Sequence, residues 1–178
     1  VEILASALRN AGLQEGDRVA GFLPNLPEAI IAMLATASIG ATWSASSPDF
    51  GIKGVLDRFS QIKPKFLFAA NGYFYNGKPF DSLEKLRGIL EDLPSVEKVI
   101  LIPYTEEGFD IFNISHAVYY EDFIDRNNYG DLAFAQLPFN HPLYIMYSSG
   151  TTGLPKSIVH SAGGTLIQHL KELKLHVD

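Results

Sequence analysis

The stretch Ser148-Ser149-Gly150-Thr151-Thr152-Gly153-Leu154-Pro155-Lys156 places four hydroxyl side chains, two glycines and one lysine within nine residues. Those residue types suit a polyphosphate. Glycine lets the backbone turn and brings amide N–H groups close to an anion. Hydroxyls add donors, and lysine adds a point positive charge. Composition alone would make this a surface turn. The fixed order of the paired glycines, the proline and the lysine points beyond that. The Walker order, G-x-x-x-x-G-K-S/T, fails here. Counted from Gly150, its second glycine falls on Pro155, which has no N–H and a fixed φ. Ser157 to Val159 also reads as a strand where that pattern needs a helix.

Other groups that could do chemistry are less organised. His169 and His176 stand seven apart on one helix face, but with His160 they complete no metal-ligand spacing, so no metal site is expected. Cysteine is absent, which excludes disulfides, a thiolate metal site and a cysteine nucleophile. Asp49, Asp57 and Arg58 read as a buried ion pair near a helix start or as its cap. Phe66, Phe68, Tyr73, Phe74 and Tyr75 lack the basic interleaving of a nucleic-acid surface and read as core and hairpin packing. With 20 acidic against 14 basic residues, the net charge is −6, which argues against a grip on a nucleic-acid backbone. Any phosphate must therefore be held locally, by one loop.

The elements that must position that loop follow from the hydrophobic pattern. A chain of 178 residues, 47% hydrophobic and 19% charged, is long enough for one domain with its own core and is not disordered. Residues 2–8 read as helix. Short apolar runs at 17–23, 41–45, 65–70, 96–102, 143–147 and 157–160 read as strands. Helical spacing marks 27–39, 51–61, 83–93 and 163–175. Asn71-Gly72 and Asn76-Gly77 bracket a hairpin-like excursion. Residues 104–142 read as irregular, with one short helix near 120–125. Strands alternating with helices predict an α/β fold, a mostly parallel sheet with helices on both faces. No charge falls between Glu28 and Asp49. The strongly apolar part stops at Ile39, too short for a membrane span, so a helix buried on most sides is expected. The chain starts at Val1 within a helical pattern and stops at Asp178 just after another. It is therefore expected to be a piece of a longer protein.

The loop string matches, at every specified position, the phosphate-binding signature S/T-S-G-S/T-T-G-x-P-K of the adenylate-forming enzymes. That group includes acyl-CoA synthetases, luciferases and the adenylation domains of peptide synthetases. Ser157 stands where a glycine often follows. Ser46-Ser47-Pro48-Asp49-Phe50-Gly51, Val55-Leu56-Asp57-Arg58-Phe59 and the run from His160 to Glu172 resemble the acetoacetyl-CoA synthetase family in particular.

The resemblance implies that residues 1–178 are part of a large N-terminal AMP-binding domain, with the C-terminal domain absent. It implies an ATP-dependent acid–thiol ligase that activates acetoacetate as an acyl-adenylate and transfers it to CoA, using ATP, Mg²⁺ and CoA in the cytoplasm. The fragment alone should be inactive. A synthetase for acetate or propionate is the nearest alternative, and a non-catalytic nucleotide- or CoA-binding module the next. By the same resemblance Ser148, Ser149, Gly150, Thr151, Thr152, Gly153 and Lys156 hold the ATP phosphates. Lys156, Thr151 and Thr152 act in catalysis by stabilising pyrophosphate, and Tyr147 and Pro155 shape the loop. A basic pair that contacts CoA phosphate in related enzymes falls on Tyr75-Asn76-Gly77-Lys78. Only Lys78 keeps the charge. The expected partners are small-molecule substrates and the rest of the same polypeptide, with neither nucleic acid nor a membrane span.

Overall fold

The computed structural model describes residues 1–106, 108–149 and 153–177. Helix α1 (Glu2–Asn10) leads into strand β1 (Arg18–Phe22), and α2 (Pro27–Ile39) crosses to β2 (Thr42–Ser46). Helix α3 (Ile52–Ile62) returns the chain to β3 (Phe66–Ala70). An antiparallel hairpin, β4 (Gly72–Tyr75) and β5 (Lys78–Asp81), precedes α4 (Leu83–Glu91) and β6 (Lys98–Ile102). Strand β7 (Ala117–Tyr119) and the single turn α5 (Tyr120–Phe123) lie on the way to β8 (Pro142–Ser148). Strand β9 (Lys156–Ser161) and α6 (Ala162–Glu172) follow, and α6 runs on as a π-helical turn over Leu173–Val177.

Seven strands form one sheet in the order β7-β6-β3-β1-β2-β8-β9. Every neighbouring pair is parallel except β8 with β9. The central strands are near-continuous apolar runs because both sheet faces are covered. Successive side chains point to opposite faces. Thus Val19, Phe66, Phe68 and Ile100 pack with Leu4 and Leu8 of α1 and Ala32 and Ala35 of α2. Ala20, Phe22, Leu67 and Val99 pack with Val55 and Phe59 of α3 and Leu86 and Ile89 of α4. The expected α/β architecture with two helical layers is the observed one.

Two local expectations need correction. Strand β7 lies inside the segment read as irregular. At three residues it is too short to show an alternation, and only its pairing with β6 makes it a strand. Helix α4 ends at Glu91, and Leu93 reaches the core from beyond the helix. Helix α2 is buried or half-buried on most sides, as expected, but leaves one stripe open. Ile30 and Leu34, one turn apart, are 59% and 46% exposed. The far edge of the sheet is similarly open: Met146, Ile158 and Val159 are exposed, as are Leu166, Ile167 and Leu170 of α6. Among the described residues no helix is long and apolar enough to cross a membrane.

Candidate active site

Strand β8 delivers the glycine-rich loop to the carboxyl end of the parallel sheet. It hangs on β2 by a short ladder, Trp43 opposite Tyr144 and Ser44 opposite Ile145. Ser44 is buried, and its hydroxyl donates to the Ile145 carbonyl at 2.9 Å, adding one bond to that ladder. Beyond the loop the chain returns antiparallel as β9, with Ser148 directly opposite Lys156. The two ends of the nine-residue string are therefore paired. Ser149, Gly153 and Lys156 are exposed, and Gly153 has φ +110°, a region that favours glycine. Gly150, Thr151 and Thr152 lie outside the described residues. Lys156 opens a strand, whereas a Walker lysine opens a helix.

Both legs of the loop are tied to the last turns of α3. On the incoming leg, the half-buried Tyr147 hydroxyl donates to the Arg58 carbonyl at 3.3 Å and lies 3.3 Å from Ser44 Oγ. The Arg58 guanidinium rests 4.2 Å over the Phe50 ring and 5.7 Å from the Tyr147 ring, and donates to the Gly54 carbonyl at 2.6 Å. On the outgoing leg, Gln61 Nε2 donates to the Pro155 carbonyl at 3.0 Å, and the Ser157 hydroxyl donates to Gln61 Oε1 at 2.9 Å. The expected pairing or capping by Asp49, Asp57 and Arg58 is replaced. Asp57 pairs with Lys53 one turn earlier at 2.9 Å, and the N-cap is Gly51 with no side-chain cap. Arg58 instead spends its charge on a carbonyl and two aromatic faces.

Burial pushes the Tyr147 hydroxyl above its ordinary pKa, while the Ser44 hydrogen bond and Arg58 pull it partly back. Native Tyr147 thus holds its proton more tightly than the unfolded chain does. Its contribution is complete below the usual tyrosine value of about 10 and is lost as pH rises through the raised native value. Denaturant unfolding of the full-length protein between about pH 9 and 12 should show that loss. Tyr147→Phe should flatten it, and an unchanged alkaline slope would refute the assignment.

Two clefts open beside the loop. One, of about 480 Å³, runs between the ends of β2 and β8 and is lined by Trp43, Ser46, Ser47, Arg58, Tyr147 and His169, among others. The other, of about 360 Å³, lies between the ends of β1 and β2, with Asn25, Ser46 and Asp49 below and Tyr73, Phe74 and Tyr75 of the hairpin as its rim. They share Ala45, Ser46 and Ser47. At this second cleft β1 exits toward α2 on one face and β2 toward α3 on the other, so the crevice opens between their carboxyl ends. The Ser46 hydroxyl is buried there without a hydrogen-bond partner among the described residues.

Lys78 is exposed and sits opposite Tyr75 across the hairpin turn, where Asn76 and Gly77 have φ 49° and 74°. It shares the hairpin with the crevice rim but does not line the crevice. The histidines are dispersed. His160 lies 5.4 Å from the Tyr144 ring, His169 lines the larger cleft, and His176 faces Glu172 at 3.9 Å. Sequence reasoning missed Gln61 and Ser44. Gln61 is an exposed polar residue in the last turn of an amphipathic helix, with no local signal of its role.

The family model described as AMP-binding enzyme matches residues 1–177. The chain belongs to the AMP-binding enzyme family. Within that family it is 57% identical over 182 residues to acetoacetyl-CoA synthetase of Gallus gallus, covering 99% of this chain and 27% of that protein. It is 51% identical over 177 residues to acetoacetyl-coenzyme A synthetase of Rhizobium meliloti (strain 1021), with the same coverages of 99% and 27%. The solved acetoacetyl-CoA synthetase from Streptomyces lividans superposes with a TM-score of 0.91 at 44% identity, over 99% of this chain and 26% of that one. This AMP-binding chain thus spans about a quarter of the length of the curated relatives it matches.

Proposed function

We propose that this chain is the phosphate-gripping part of an ATP-dependent acetoacetate–CoA ligase. The observation that carries the reading is the complete loop string at the carboxyl end of β8, in a chain 57% identical to a relative named for that product. In the first half-reaction an acetoacetate carboxylate oxygen attacks the α-phosphorus of ATP, and the bond from that phosphorus to the bridging oxygen breaks. Pyrophosphate leaves and an acyl-adenylate remains. The barrier lies in charge developing on the leaving group, which calls for aimed donors more than a general base. Lys156, Thr151 and Thr152 supply them, with Ser148, Ser149, Gly150 and Gly153 holding the β- and γ-phosphates. In the second half-reaction the CoA thiol attacks the acyl carbon and AMP leaves.

Mg²⁺ would offset phosphate charge, but among the described residues no three His, Asp or Glu side chains converge on a metal. For CoA, the crevice at the ends of β1 and β2, with its aromatic rim and a Ser46 hydroxyl that has no partner among the described residues, supports a site nearby, and Lys78 on the same hairpin would meet a phosphate at its mouth. The uncovered apolar residues of β8, β9 and α6 support reading residues 1–178 as part of a larger domain. A cytoplasmic setting goes with this reading on family likeness.

ATP–pyrophosphate exchange with a panel of acetoacetate, acetate and propionate tests the proposal. The full-length protein should exchange best with acetoacetate, and residues 1–178 alone should not exchange. Preference for acetate or propionate would reassign the substrate. No exchange with any acid, together with retained nucleotide or CoA binding, would favour a non-catalytic module.

A further inference from the structure

We propose that Gln61 is a positioning residue for Lys156, an inference that rests on reading the loop as the ATP-phosphate site. One side chain holds both neighbours of the lysine. Gln61 Nε2 donates to the Pro155 carbonyl at 3.0 Å and to the Asp57 carbonyl at 2.6 Å, and Gln61 Oε1 accepts from the Ser157 hydroxyl at 2.9 Å. These three partners fix the amide's orientation, because a flipped amide would set its oxygen against two carbonyls. The tether is anchored at its far end. Gln61 lies between Phe59 and Ile62, whose side chains are 0% and 6% exposed in the core.

Topology explains why such a tether matters. Among the described residues strand β9 is the last in the sheet and pairs only with β8, so its first residues have no strand on their outer side there. With β8 fixed on β2, the start of β9 can still swing about the β8–β9 ladder unless something outside that ladder stops it. With Pro155 and Ser157 both held to α3, the backbone at Lys156 is fixed on each side, and so is the direction in which its side chain leaves. Ser157 gains a purpose in the same stroke. The glycine that often follows the lysine in this signature has no hydroxyl to close the clamp.

The test uses the full-length protein carrying Gln61→Met, Ser157→Gly and both together. Methionine keeps the length and helix propensity of glutamine and removes its polar contacts. Gln61→Met should lower kcat for acetoacetate-dependent ATP–pyrophosphate exchange about tenfold, since misplacing a catalytic group by an ångström costs up to about a hundredfold. KM for acetoacetate should hold, as should thioester formation from preformed acyl-adenylate. Ser157→Gly should lose part of that rate, and the double variant should be no slower than Gln61→Met. Hydrogen exchange at the β9 amides should speed up in Gln61→Met. Full exchange activity in Gln61→Met, equal losses in both half-reactions, or additive losses in the double variant would overturn the clamp. If the wild-type protein shows no exchange activity, the ligase reading fails on its own. Unaltered β9 amide protection in Gln61→Met would then overturn the clamp separately.

Discussion

Lys156→Ala in the full-length protein should slow adenylate formation by about 10²- to 10³-fold, the usual cost of removing one aimed donor from a developing negative charge. Thioester formation from preformed acyl-adenylate should change by far less. The asymmetry follows from the order of events. In the proposed reaction, pyrophosphate is the leaving group of the first half-reaction and is gone before the thiol attacks. A lysine that serves the β- and γ-phosphates therefore has nothing to stabilise in the second. Its place suits this role: it is exposed, it begins β9, and it stands opposite Ser148 across the hairpin, so one ladder step joins the two ends of the loop. In a chain of net charge −6 no general positive field can take its place. Lys156→Arg should recover only part of the rate, because the planar fork does not reproduce a compact ammonium. Rapid-quench measurement of each half-reaction checks this. Equal losses in both would remove Lys156 from the pyrophosphate site.

Gly21→Ala should destabilise the protein by about 2–3 kcal/mol, in the upper range for overpacking a filled core. A Cβ on Gly21 would stand 2.8 Å from two ring carbons of Trp43 and 3.3 Å from Leu23. The indole cannot swing clear. Trp43 is 6% exposed, sits 6.2 Å from the Phe68 ring, and belongs to the strand that carries β8. Relief of the clash must therefore move a backbone or expose the ring. Because Trp43 is the only tryptophan, its fluorescence reports the site directly. The expected result is a red-shifted native spectrum with a lower denaturant midpoint. A native spectrum and midpoint matching wild type would show that the ring has room.

How much of this was readable from residue order depends on whether the cause is local. The alternation of strands and helices was legible because apolar runs such as Phe66–Ala70 and the spacing of Ile52, Val55, Leu56 and Phe59 are written within a few residues. The loop string proposed for the phosphates stood out because cradling an anion takes contiguous glycines and hydroxyls, so such chemistry is written locally. Strand β7 was not, because three residues become a strand only through β6. The open stripe of α2 was not either. Its pattern is apolar nearly all round, and what covers Ile30 and Leu34 is not encoded in the helix itself.

By itself, then, the sequence determined the α/β class, the order of most elements, and the nine-residue string on which the proposed phosphate site rests. Only the tertiary structure decided how that loop is held. Gln61 meets Pro155 across 94 positions and Ser157 across 96. Gly21 makes room for a tryptophan on the neighbouring strand, and the crevice at Ser46 exists because β1 and β2 exit to opposite faces. Each of these is a meeting of distant segments. Local backbone preference and periodicity act over a turn or a strand, whereas such meetings are set by the joint packing of the sheet and its two helical layers.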